Sequence, residues 1–220
     1  MMMNKFGNNS AMSHQYFITG IGTDVGKTVV SAIVSEALQA SYWKPIQAGD
    51  LDNSDSIKIK NLTENVTVLE EGIKLSQPMS PHAAAEIDKV DIRISDFRLP
   101  NVSGNLIVEG AGGMMVPINS NGLLLVDLMK EFRLPVILVS RHYLGSINHT
   151  LLSVEVLKNR NIPIEGIIFV GEENKATEDI ILSVTELKAL ARIPEVTVVD
   201  KTFIKEQAEL LNRTLVYGKH

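Results

Sequence analysis

Apolar residues in this chain fall into short runs separated by amphipathic stretches, and the two periods alternate. Tyr16-Phe17-Ile18-Thr19 opens the series as a strand. Pairs at Val29/Val30, Ile33/Val34 and Ala37/Leu38 then repeat every four residues, which keeps one helical stripe against a sheet. Tyr42-Trp43, Leu106-Ile107-Val108, Val136 through Val139 and Ile164 through Val170 read as buried parallel strands. The spacing predicts helices over Ser80–Ile87, Leu123–Glu131, Ser146–Asn159, Thr177–Leu190 and Thr202–Leu211, with Pro135 and Pro163 as stops after the second and third. Such alternation predicts an α/β fold: a mostly parallel sheet with helices on both faces, right-handed crossovers, and ligands beyond the carboxyl ends of the strands.

Length changes little in that picture. A chain of 220 residues, 45% hydrophobic, suits one α/β domain over 15–220 that buries roughly 70–75% of its unfolded surface. Residues 1 to about 14 read as a disordered leader without the apolar core of a signal peptide. A formal charge of −5 implies no broad basic face, so nucleic acid is not an expected partner. With no cysteine there are no disulfides, thiolate metal sites or cysteine nucleophiles, which suits a reducing, cytoplasmic setting. No apolar run approaches the ~18 residues of a membrane helix.

The most informative chemistry sits between the first strand and the first helix. Gly20-Ile21-Gly22-Thr23-Asp24-Val25-Gly26-Lys27-Thr28 is a glycine-rich turn that predicts a phosphate cradle, a P-loop. Glycines let backbone N–H groups converge on an anion, and the helix start adds roughly half a positive charge. Lys27 reaches the outer phosphates and Thr28 can ligate Mg²⁺. The loop is a variant, because Gly20 and Gly26 are six positions apart and position 21 is Ile.

Glu109 stands where the run Leu106-Ile107-Val108 ends, followed by Gly110-Ala111-Gly112-Gly113. A carboxylate there costs several kcal/mol of desolvation unless Mg²⁺ or a lysine partners it. Lys44, after Trp43, comes to the same sheet edge as Lys27, and two ammonium groups suit a multiply anionic transition state. Asp55 either brings a second carboxylate to a metal or caps a helix from Ser56. Asp24, acidic inside a phosphate loop, is a candidate partner for a substrate amine. Ser80-Pro81-His82 and Leu144 through His149 read as polar helix starts, and Met114 and Met115 as packing residues.

In order and spacing, Gly20 to Thr28, Lys44-Pro45, Asn53-Ser54-Asp55, Ser80-Pro81-His82, Val108 to Gly113, Leu134 to Val139, Leu144 to His149 and Ile193-Pro194 resemble the dethiobiotin synthetases. The resemblance implies ATP- and Mg²⁺-dependent closure of 7,8-diaminononanoate with CO₂ to dethiobiotin, ADP and phosphate in biotin biosynthesis. One amine captures CO₂ as a carbamate, the γ-phosphate activates it, and the second amine closes the ureido ring. Carried over, Gly22, Thr23, Asp24, Val25, Gly26, Lys27, Thr28, Glu109 and Gly112 would bind the nucleotide. Thr28, Asp55 and Glu109 would ligate Mg²⁺, while Lys27 and Lys44 would be catalytic. Thr23, Asp24, Lys44 and Ala48 would face the diamine or carbamate. The family is a homodimer, so Gly145, Ser146 and Asn148 of one subunit would bind the substrate carboxylate in the other's site. This chain departs at Ala48, where the family often has serine, and at Val170, near where it often has an asparagine reading the adenine. Partitioning and positioning ATPases share the expected fold, but they usually carry a second lysine early in the loop, where this chain has Ile21.

Overall fold

The computed structural model describes residues 13–217; of the leader expected over residues 1–14, positions 1–12 lie outside the described residues. Five long or central strands follow the apolar runs: β1 (Gln15–Gly20), β2 (Ser41–Trp43), β6 (Leu106–Gly113), β7 (Val136–Arg141) and β8 (Ile164–Val170). Shorter strands are β3 (Ile46–Ala48), β4 (Thr67–Val68), β5 (Ile73–Leu75) and β9 (Ala189–Ile193). Seven of them form one sheet in the order β4-β2-β6-β1-β7-β8-β9, and β3 pairs with β5 apart from it. Every one of these strand pairs is parallel.

Both faces of the sheet are dry, which is why the strands are apolar runs rather than alternations. Phe17, Leu106, Val108, Val136, Leu138, Ile167 and Phe169 point to one side. There they meet α3 (Pro81–Asp88), α4 (Leu125–Phe132), α5 (Ser146–Asn159) and α6 (Lys175–Thr185). Tyr16, Ile18, Tyr42, Ile107, Ile137, Val139 and Ile168 point to the other, against α1 (Lys27–Leu38), α2 (Asp55–Leu62) and α7 (Lys201–Tyr217). The result is three layers. Among the described residues no helix is long and apolar enough to cross a membrane.

The structure corrects several boundaries. The helix expected over Thr177–Leu190 is α6, which stops at Thr185 because Glu186 turns left-handed (φ 59°). Leu190 and Ile193 are then buried as the inward positions of the edge strand β9. Arg192 on β9 ties the two elements together: its Nε and Nη2 donate to the Glu178 carboxylate of α6, each at 2.8 Å. Strand β6 runs on through Gly110–Gly113, beyond Val108, where the apolar run ends. A carboxyl-terminal extension of α7 carries it to Tyr217, past Leu211.

Candidate active site

Strand order puts the chemistry in one place. β2, β6 and β1 are neighbours, so the residues at their carboxyl ends, Lys44, Glu109 and the turn into α1, share one edge. The turn itself is shaped by backbone demands. Asp24 (φ 56°) and Gly26 (φ 93°) are left-handed, and a Cβ on Gly20 would come within 2.4 Å of the Val25 side chain, which is buried. α1 starts without a side-chain cap, so its first N–H groups face the turn. Gly112, also left-handed (φ 69°), brings β6 against the rim, where its Cβ would stand 3.7 Å from Thr23 Oγ1.

Lys27, 8% exposed, folds back to donate from Nζ to the Gly22 carbonyl at 2.9 Å, spanning the loop that it would close over phosphate. Burial pulls its pKa below the ordinary lysine value, against the opposing field of Glu109. Behind it lies a buried polar cluster. Thr28 Oγ1 shares its proton between Asp55 Oδ1 (2.9 Å) and Glu109 Oε1 (3.0 Å). Lys44 Nζ donates to Glu109 Oε1 at 2.9 Å and pairs with Asp55 Oδ2. Burial depresses the Lys44 pKa, and the Glu109 and Asp55 carboxylates more than offset it, leaving the ammonium above its usual value. Burial likewise raises Asp55, and Lys44 and Thr28 outweigh it, so the carboxyl stays below the usual aspartate value. Asp55 occupies the first position of α2, and Ser54 caps that helix by accepting from Ile57 N.

The open side of this cluster is a cavity of about 790 Å³. Thr23, Asp24, Gly26, Lys27, Thr28, Lys44, Asp55, Glu109 and Gly112 line it, together with the polar Gln47, Asp50, Lys58 and Ser80 and the apolar Ile46, Ala48, Pro78, Met79, Ala111 and Val116. A smaller cavity of about 280 Å³ adjoins it across Asp24, Gly26 and Val29. Val170, Ile193, Pro194 and Phe203 wall that second space, with Arg141 held between Glu195 Oε1 (Nε, 2.5 Å) and the Asp24 carbonyl (Nη1, 3.1 Å). Gly145, Ser146 and Asn148 are not brought to either cavity of their own chain. They stand at the start of α5, where Gly145 and Asn148 are exposed beside the fully exposed Leu144 while Ser146 is buried.

The donor set fits a magnesium ion that also takes phosphate oxygens. Two carboxylates and a hydroxyl converge on one point, all hard oxygen ligands. Among the described residues there is no group of three or more His, Cys, Asp or Glu side chains, so no self-sufficient metal cage exists. Mg²⁺ characteristically binds through one or two carboxylates plus substrate phosphates.

Three contacts escape a reading of residue types alone. Gln47 accepts from Asp55 N at 3.3 Å and so steadies the start of α2. Arg141 braces the phosphate loop. Tyr42, fully buried, donates from its hydroxyl to Glu109 Oε2 at 2.9 Å, and burial beside that carboxylate pushes its pKa well above the ordinary tyrosine value. The one available signal was that a buried tyrosine hydroxyl in an apolar run needs a partner.

Comparison with known proteins points one way in sequence and more broadly in fold. A family model described as an AAA domain matches residues 14–202. An ATP-dependent dethiobiotin synthetase BioD from Christiangramia forsetii is 53% identical over 206 residues, covering 93% of this chain and 99% of that protein. One from Cytophaga hutchinsonii is 50% identical over 182 residues, covering 81% and 87%. Among solved structures, the cell division ATPase MinD of Pyrococcus furiosus superposes with a TM-score of 0.53 at 16% identity, over 92% of this chain and 99% of that one. At that identity the superposition establishes the shared fold alone.

Proposed function

The chain belongs to the dethiobiotin synthetase family, and on that premise we propose how its strand-end cavity closes the ureido ring. It is an ATP-dependent ligase that forms C–N bonds, joining a diamine and CO₂ at the expense of ATP. The observation that carries the site assignment is the convergence of Lys27, Thr28, Lys44, Asp55 and Glu109, from four separate segments, on one cavity. We read residues 15–220 as one synthetase domain.

The phosphates of ATP lie along the free N–H groups at the start of α1, between Gly22 and Thr28, with Lys27 on the outer pair. Thr28, Asp55 and Glu109 would hold Mg²⁺, which when bound neutralises phosphate charge. Asp24, at the mouth and exposed, accepts from one substrate amine, with Thr23 beside it. The other amine adds to CO₂, forming an N–C bond and releasing a proton. The carbamate oxygen then takes the γ-phosphoryl group, forming a C–O–P anhydride as ADP departs. Lys44 is placed to balance the charge of that oxygen and of the transferring group. Attack of the second amine on the carbonyl carbon forms the second C–N bond and expels phosphate. Ala48 offers no hydroxyl here, so the carbamate is left to the lysines and to backbone N–H groups.

Two further features belong to this reading. The second cavity adjoins the cradle where the nucleotide base would emerge, and its wall carries Val170 in place of an amide side chain. The first turn of α5, from Gly145 through Ser146 to Asn148, has the N–H groups of the exposed Ile147 and Asn148 at its start, and these suit the carboxylate of a diamine bound to a second copy of the chain. This makes the working unit a homodimer.

The test is an assay of purified protein with the diamine, bicarbonate, Mg²⁺ and ATP, each omitted in turn. Dethiobiotin should form only in the complete mixture. GTP and CTP should replace ATP to a measurable extent, because Val170 offers no hydrogen bond to the base. Product formed without nucleotide would refute the reaction, and strict dependence on ATP would refute the role given to Val170.

A further inference from the structure

Glu109 is the one member of the polar cluster with no exposed surface, and its two oxygens have different surroundings. Oε1 faces Thr28 and Lys44, at 3.0 and 2.9 Å. Oε2 faces away and receives the hydroxyl of Tyr42 at 2.9 Å. That contact follows from sheet register. Tyr42 on β2 is paired with Ile107 on β6, and Glu109, two residues further along, lies on the same face as Ile107. A tyrosine side chain is long enough to reach from one pair to the next. Tyr42 itself is fully buried, and among the described residues the one partner of its hydroxyl is Glu109.

A carboxylate with both oxygens free could rotate and offer Lys44 two acceptors. The phenol removes that option, because turning Glu109 would leave Oε2 or the hydroxyl buried without a partner. We propose that Tyr42 is a positioning residue, which pins Glu109 through Oε2 so that Oε1 alone is presented toward Thr28 and Asp55 as a single-oxygen ligand for the nucleotide-bound Mg²⁺. The inference rests on the metal reading of this site and deepens it. Thr28 and Lys44 supply the donors that Oε1 satisfies without the ion. The tyrosine remains when the ion arrives, so the carboxylate needs no reorientation to receive it. Groups that orient metal ligands in this way commonly contribute 10- to 100-fold to metal affinity.

Tyr42→Phe tests this with little change in volume. ADP binding is measured by calorimetry over a Mg²⁺ titration and again in EDTA. The Mg²⁺ concentration for half-maximal enhancement of ADP binding should rise about 10-fold or more in the variant. Affinity in EDTA should be unchanged, and kcat at saturating Mg²⁺ should recover to near that of the unsubstituted protein. In a Glu109→Gln background the same substitution should make no further difference to the Mg²⁺ requirement. An unchanged Mg²⁺ requirement in Tyr42→Phe, an equal loss in EDTA, or an equal loss in the Glu109→Gln background would overturn the proposal. If the unsubstituted protein binds ADP equally with and without Mg²⁺, the metal reading itself fails, and this one with it. A second measurement leaves position 42 a tyrosine. In protein labelled with 3-fluorotyrosine, with the other three tyrosines replaced by Phe, the single ¹⁹F resonance should shift when Mg²⁺ joins bound ADP. A resonance that ignores Mg²⁺ while ADP binding responds to it would also overturn the proposal.

Discussion

Lys27→Ala should lower kcat/KM for ring closure at least ~100-fold, about 2.7 kcal/mol on the barrier, with secondary structure and melting temperature nearly unchanged. The size follows from placement. Lys27 is almost wholly buried at the start of α1, in a cavity where water screens it little, so a charge developing on the outer phosphates meets a nearly unshielded ammonium. Folding is spared for the same local reason. Among the described residues the ammonium makes one hydrogen bond, to the Gly22 carbonyl, and that oxygen lies on the loop rather than in the core. Initial-rate kinetics with circular dichroism and a thermal melt check both halves. Rates within a few-fold of the unsubstituted protein would remove Lys27 from the reaction.

Lys44→Met should fail differently. Its ammonium is the cation shared by Glu109, with no exposed surface, and Asp55, whose side chain is 21% exposed. Taking away one partner of a buried ion pair costs about 3–5 kcal/mol, because the charge left behind has lost its solvent and its counter-ion together. For a chain of this length that corresponds to a fall in melting temperature of roughly 10 °C. Mg²⁺ should restore part of the fall, and should stabilise the variant more than the unsubstituted protein, since a divalent cation answers the same two carboxylates. Ring closure should nevertheless stay down at least ~100-fold at saturating Mg²⁺, because the ion does not replace the charge beside the carbamate. Calorimetric melts with and without Mg²⁺, read beside the kinetics, separate the two effects. An unchanged melting temperature, or activity recovered by Mg²⁺, would contradict the double role.

The contrast between these residues also marks what could be read from the chain before its fold. Gly20 to Thr28 is legible because its chemistry is local: glycines, a lysine and a hydroxyl within one turn. Glu109 is legible because a charge breaking an apolar run at a strand end has few explanations. Of the two readings of Asp55, the cap fails: Ser54 caps α2, Asp55 is already its first residue, and the Asp55 carboxylate turns instead to Thr28 and Lys44. Tyr42 was opaque, because its partner lies 67 residues away and only the pairing of β2 with β6 joins them. β9 was hidden for another reason. Its apolar positions continue the pattern of α6 until Glu186 turns left-handed, and that turn has no glycine or proline to announce it. β3, β4 and β5, of two or three residues each, are too short to carry a period. The start of α5 is legible as a helix, yet its separation from both cavities emerges only from the three-dimensional arrangement.

The most direct test of the whole account is a crystal structure with Mg²⁺, a non-hydrolysable ATP analogue and the diamine. It should show the terminal phosphate within hydrogen-bonding distance of Lys27 Nζ, the ion among Thr28, Asp55 and Glu109, and the diamine in the adjoining cavity near Asp24 and Lys44. A triphosphate bound at saturation away from the turn between β1 and α1 would contradict it.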